Sequence, residues 1–159
     1  YGLGKNKTIS IFNSLVDFSD IQVIAIAGKN EKMKQEFERI VKEKNKEKTI
    51  KVLPFTDIVT ELMAISDLVI TKPGGLTVSE SLASNLPLVV INPIPGQEEE
   101  NAEFLENNNC AIWLRKNDNP KEVLSSILNN KTKLEEMKNN TNILAKKHST
   151  ENICKIVLN

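Results

Sequence analysis

The chain has 159 residues, which fits one domain with a sizeable core, and its 40% hydrophobic and 26% charged residues are ordinary for a globular protein. Lys plus Arg equal Asp plus Glu at 21 each, so nothing argues for a nucleic-acid partner or a strongly charged membrane patch. An aromatic content of 4% also argues against base-stacking platforms.

In chain order, Gly2 and Gly4 precede a helical pattern of Ile9, Phe12, Leu15 and Val16 at spacings of three and four. A glycine turn of this kind ordinarily follows a strand, and none stands before it. A fragment of a longer polypeptide is therefore expected, with its first strand missing or present only in part. Ile21 to Ala27 is rich in branched apolar residues and predicts a buried parallel strand, ended by Gly28-Lys29-Asn30. Met33, Phe37, Ile40 and Val41 predict an amphipathic helix, and the charged run Lys42 to Lys48 its solvated end. Thr49 to Leu53 predicts a second strand, stopped by Pro54. Asp57 then suits a helix N-cap before Ile58, Val59, Leu62 and Met63.

Asp67 to Asn101 is the most informative stretch. An apolar run, Asp67 to Ile70, ends in Thr71-Lys72-Pro73-Gly74-Gly75, and a helical pattern follows at once. A second run, Leu88 to Ile91, ends in Pro93-Ile94-Pro95-Gly96, then Gln97, three acids and Asn101. This predicts two polar loops at the carboxyl ends of neighbouring parallel strands, where open α/β sheets bind ligands. Beyond it, Glu98 to Asn107 predicts a helix and Ala111 to Leu114 a strand. Pro120 opens a helix whose buried face is Val123, Leu124, Ile127 and Leu128, and polar helices run from Lys131. Strands alternating with helices predict a Rossmann-like doubly wound parallel sheet covered on both faces, in one domain over residues 1–159.

Cys110 and Cys154 lack metal-ligand spacing and are expected to be reduced thiols. His148, the only histidine, lies in a polar stretch and is expected to be exposed. No apolar run reaches the ~18 residues of a membrane span, and no signal peptide is visible.

The turn Lys72-Pro73-Gly74-Gly75-Leu76-Thr77 has two readings. Its glycines and the free amides at the helix start suit a phosphate. Equally, a tight turn could need glycine for a positive φ alone. There is no Walker pattern, and Gly2-x-Gly4 lacks the third glycine of a dinucleotide fingerprint. On the helix that follows, Val78, Leu82 and Leu86 should face the core. Glu80, about 200° round from Val78, shares another face with Thr77 and Ser84. A carboxylate there can accept hydrogen bonds from ribose hydroxyls, or simply complement a helix dipole. Gln97 and Asn101 are four apart and project together, whereas Glu99 and Glu100 need no ligand to explain them.

TKPGGLTVSESLA followed by INPIPGQEEEN resembles the carboxy-terminal half of GT-B glycosyltransferases of the monogalactosyldiacylglycerol synthase and processive diacylglycerol glucosyltransferase group. Gly2-Leu3-Gly4, Gly28-Lys29-Asn30 and Phe55-Thr56-Asp57 stand in the expected order, so the likeness covers nearly the whole chain. The enzymes that add N-acetylglucosamine to a lipid-linked muramoyl peptide carry a looser version.

The resemblance implies a half that binds a UDP-hexose donor, without bound metal or other cofactor. Thr56 would meet the uracil through its backbone. Gly75, Leu76 and Thr77 would hold the diphosphate, beside Gly74 and with Lys72 available to the leaving group, and Gly2 and Gly4 would approach from the other side. Glu80 would bind the ribose, Gln97 and Glu98 the sugar hydroxyls, and Asn101 would support or join them. The catalytic base and the lipid-acceptor site are expected in an absent amino-terminal half. The full protein is expected to transfer hexose to a lipid, diacylglycerol foremost, from the cytoplasm and peripherally on the inner face of the cell membrane. The alternatives are N-acetylglucosamine transfer to a muramoyl peptide, or a donor-binding subunit of a two-chain transferase.

Overall fold

Among the described residues the apolar runs become five short strands threaded between eight helices. A computed structural model describes the backbone of residues 2–158 and the side-chain surroundings of residues 7–158. The order is α1 (Gly2–Val16), β1 (Val23–Ile26), α2 (Glu31–Glu43), β2 (Ile50–Leu53), α3 (Val59–Ala64), β3 (Val69–Thr71), α4 (Gly75–Ala83), β4 (Leu88–Ile91), α5 (Gln97–Asn107), β5 (Ala111–Leu114), α6 (Pro120–Leu128), α7 (Lys131–Leu144) and α8 (Ser149–Leu158). Every ladder is parallel, as the alternation of strands and helices predicts. The chain divides into two compact units, Tyr1–Val59 with Asp118–Ser126, and Thr60–Asn117 with Ile127–Asn159.

In the first unit β1 pairs with β2, Val23 opposite Ile50 and Ile26 opposite Leu53. The core comprises Phe12 and Val16 of α1, Phe37, Ile40 and Val41 of α2, and Ile50, with Val23, Ala25 and Val52 packed against it. Phe12 and Phe37 stack with ring centroids 4.1 Å apart, a geometry that adds to simple area burial. The α2 start is fixed by Asn30, whose side chain accepts the Met33 N–H at 3.0 Å. Because both helices cover the Val23 and Ala25 side, the alternate residues Ile24 and Ile26 remain 40% exposed. The expectation of a strand buried on both faces fails at β1.

Two further expectations change here. Gly2 and Gly4 lie in the first turn of α1 and not in a turn ahead of it, since the helix starts at Gly2. Their surroundings fall outside the described residues. Asp57 is not the N-cap of α3, which begins at Val59. Thr56 makes the local turn instead, its Oγ1 accepting the Ile58 N–H at 3.4 Å.

The second unit holds the sheet β3-β4-β5, with Val69 opposite Leu88 and Leu88 opposite Ala111. β4 is central and all four of its residues are buried. Val78 and Leu82 of α4, Ala102 and Leu105 of α5, Cys110 and Ala111 complete a core with Leu88 and Val90. The core face read for α4 is the one observed. Asn130 caps α7 by accepting the Lys133 N–H, and α7 packs on α4. All described side chains of α8 are exposed.

Candidate functional site

The β3–β4 pairing brings the turn before α4 and the loop before α5 to the same end of adjacent strands. The first question is why the turn carries two glycines. Gly74 has φ −64° and ψ 147°, ordinary extended backbone, and Gly75 is not among the positive-φ residues. The reading that the turn needs glycine for its backbone conformation is therefore excluded. A Cβ built on Gly75 would meet nothing within 4 Å, and one on Gly74 would reach only Glu98 Oε1 at 3.9 Å. What the glycines provide is open space beside backbone amides.

Those amides are the first of α4. The helix has no side-chain cap and no acid in its first turn. Its first intrahelical bond runs from the Val78 N–H to the Gly74 carbonyl at 2.9 Å, so the amides of Gly75, Leu76 and Thr77 precede the ladder. Helix starts of this kind favour an anion through both their donors and their dipole. Lys72 is exposed, Leu76 is 82% exposed and Thr77 is half-buried.

The α5 start is built differently. Its N-cap is Gly96 at φ 99° and ψ −127°, a conformation that disfavours any side chain, so this glycine is required by the backbone. Glu98, Glu99 and Glu100 occupy the first turn and already complement the dipole. The α4 start thus lacks the first-turn acids that the α5 start carries.

Two side chains of α5 hold the site together. Asn101 donates from Nδ2 to the Pro73 carbonyl at 2.9 Å, tying α5 to the glycine turn. Glu98 Oε2 accepts the Ile94 N–H at 2.7 Å, folding the loop back on its own helix. Gln97 is exposed at the first position of α5. Glu80 is exposed on the side of α4 away from buried Val78, Ser81 and Leu82. Lys72, Gly74, Gly75, Leu76, Thr77, Glu80, Gln97, Glu98 and Asn101 thus all belong to the second unit.

Gly2, Gly4 and Thr56 belong to the first. There Thr56 follows β2, next to Phe55, which is 63% exposed and carries Lys29 Nζ 5.5 Å from its ring centroid. The sequence reading used Phe55 only as part of a motif. The signal that marks it is a bare aromatic residue placed directly after the strand-ending Pro54.

The other reactive residues stand apart. Burial pushes the Cys110 thiol up to about 11, which makes it a core residue rather than a nucleophile. Cys154 and His148 are exposed on the surface, His148 as expected. Among the described residues no group of three or more His, Cys, Asp or Glu could hold a metal ion, and no helix is long and apolar enough to cross a membrane.

The sequence profile of the glycosyltransferase family 28 C-terminal domain matches residues 6–154. The chain belongs to that family. The relatives of this family-28 domain align with most of the chain. A processive diacylglycerol beta-glucosyltransferase of Bacillus licheniformis is 37% identical over 95% of this chain and 39% of its own. Its counterpart in Bacillus subtilis is 35% identical over 99% and 41%. The chain therefore spans about two fifths of the curated relatives it matches. Among solved structures, Acinetobacter baumannii MurG superposes with a TM-score of 0.77 at 20% identity, over 99% of this chain and 46% of that one. Anabaena HepE in complex with UDP-glucose superposes with a TM-score of 0.67 at 17% identity, over 92% and 42%. At such identities the likeness is one of fold, and the fold is the C-terminal domain of a GT-B glycosyltransferase.

Proposed function

We propose that this family-28 domain is the donor-binding half of an enzyme that moves a hexose from a UDP-sugar to a lipid acceptor, diacylglycerol foremost. The observation that carries the reading is the α4 start, where uncapped amides face open space beside two glycines that the backbone does not need. A diphosphate supplies the missing charge and acceptors there. Glu80, one helical turn on, receives the ribose hydroxyls. Gln97, exposed at the α5 start, reaches a sugar hydroxyl. In the first unit, exposed Phe55 offers a flat apolar face beside Thr56. That the curated relatives are named for transfer to diacylglycerol supports both the donor class and the lipid acceptor. HepE, crystallised with UDP-glucose, shares the fold.

In chemical terms this half orients the donor and stabilises charge growing on the departing UDP, through the amides of Gly75 to Thr77 and the Lys72 ammonium. The base that activates the acceptor, and the contact with a membrane surface, belong to the remainder of the full polypeptide. The test is calorimetric titration of UDP into the chain and into Glu80→Ala. The wild type is expected to bind, and the variant to bind on the order of tenfold more weakly, as for a lost hydrogen bond to a charged group. No binding to the wild type overturns the reading, and equal binding overturns the ribose assignment alone. A donor screen of the full-length polypeptide with diacylglycerol, resolved by chromatography, identifies the hexose.

A further inference from the structure

We infer that Glu106 and Arg115 guard the outer edge of β5, closing it against pairing with a second copy of this chain. Among the described residues β5 has β4 as its one neighbouring strand, so its other side is an edge. The Leu88 N–H donates to the Cys110 carbonyl at 3.1 Å, which turns that carbonyl towards β4. Successive residues of a parallel ladder alternate, so the backbone groups of Asn109, Ala111 and Trp113 point outwards. A bare edge of this kind is a template for another strand. The two-fold arrangement that would use it is antiparallel, each copy's Trp113 exchanging its N–H and C=O with the other.

Both of those Trp113 groups are occupied by side chains. The N–H donates to Glu106 Oε1 at 3.2 Å, and the carbonyl accepts from Arg115 Nη1 at 3.3 Å. The two capping side chains are locked to each other, Arg115 Nη2 to Glu106 Oε2 at 2.6 Å and Nη1 to Oε1 at 3.1 Å, in the bidentate form. The Arg115 guanidinium also lies 4.7 Å from the centroid of the Trp113 ring, which keeps it folded back along the strand. Upstream, the Asn109 carbonyl accepts from Asn140 Nδ2 of α7 at 3.3 Å, and Ala111 is only 4% exposed. The Arg115 side chain is 53% exposed and that of Glu106 33%, and an ion pair so open to water adds little stability. What the pair does supply is charge and occupied backbone groups where an incoming strand would have to lie. Charged side chains on an edge keep sheets from joining.

The test removes the guard and reads both the mass and the edge itself. Sedimentation equilibrium across a concentration series is run on the wild type, on Glu106→Ala with Arg115→Ala, and on Glu106→Ala alone. Amide hydrogen exchange at Trp113 and Leu88 is read at both ends of the series. The wild type is expected to stay monomeric. The double variant is expected to shift from monomer to dimer as concentration rises, with Trp113 exchange fast in the monomer and slowed in the dimer. Glu106→Ala alone, which leaves Arg115 on the Trp113 carbonyl, is expected to make the same shift at higher concentration. A double variant that stays monomeric with fast Trp113 exchange overturns the inference, because the open edge then recruits nothing. A dimer in which Trp113 still exchanges fast overturns it too, since another surface joins the copies. So does a monomeric variant with slow Trp113 exchange, since Glu106 is then not what covers the amide. A wild type whose Trp113 exchange slows with concentration overturns it as well. Retained protection at Leu88, which donates to β5, shows that the sheet is intact. If the double variant loses that protection, Glu106→Ala alone is judged by the same outcomes.

Discussion

β1 and β4 are nearly the same text, VIAI and LVVI, yet they have opposite environments. β4 has a parallel neighbour on each side and is buried at all four positions. β1 pairs on one side among the described residues, and its Ile24 and Ile26 stay 40% exposed. Composition makes a strand, but the cover on its two faces decides what it contributes to stability. The largest expected effect follows from this. Leu88→Ala removes a side chain with no exposure and should cost about 2–5 kcal/mol, because the cavity cannot collapse in a packed sheet. Ile24→Ala should cost about 1 kcal/mol or less, since much of its side chain is already in water. Urea midpoints of the two variants measure the gap. Equal losses would mean that β1 is as tightly enclosed as β4.

The same contrast explains what could be read in the sequence. Strand type and order were legible because branched apolar runs bounded by Gly and Pro leave few alternatives. The α4 core face was legible because Val78 and Leu82 repeat at helical spacing. The exposed side of β1 was not, since facial cover comes from residues far along the chain. Helix starts were legible to within a residue or two only, so Asp57 was given a cap although α3 begins at Val59, after a turn made by Thr56. At the site, the residues of the turn were legible, but the reason for its glycines was not. That needed the φ of Gly74 and the empty space beside Gly75. Glu98 was legible as a polar residue in the right loop. Its bond to Ile94 depends on a loop geometry that no spacing encodes.

A second test separates core from surface within the second unit. Cys110 is fully buried and its thiol is pushed up by burial from 9.0 to about 11, whereas Cys154 stands on exposed α8. A raised thiol holds less thiolate, the reactive form, and burial also excludes the reagent. Iodoacetamide at pH 8 should therefore label Cys154 first and Cys110 far more slowly, with the difference lost in urea. Mass spectrometry of the labelled peptides gives the rates. Comparable native rates would show that the core around Leu105 and Ala111 opens readily.

The smallest effects divide the two units by pH. In the first unit, partial burial pushes the Asp17 carboxyl up, but Lys44 at 3.4 Å and Lys121 at 3.5 Å outweigh it and hold it below its usual value. A depressed acid stabilises above its unfolded value of 3.8 and loses that contribution as pH falls through the lower folded value. In the second unit, the hydrogen bond to Asp67 at 2.7 Å raises the Lys138 ammonium above 10.5, against a lowering by burial. A raised base stabilises below 10.5 and loses that contribution as pH climbs through the folded value. Asp17 is 40% exposed and Asp67 77%, so solvent screening keeps each contribution below about 1 kcal/mol. Asp17→Asn should thus differ from the wild type at neutral pH and converge with it in acid, while Lys138→Met should converge with it only in strong alkali. Hydrogen exchange at Ala25 and at Val89, followed across pH, reads each unit separately. Convergence of both variants at the same end of the scale would show that one of these pairs is not formed.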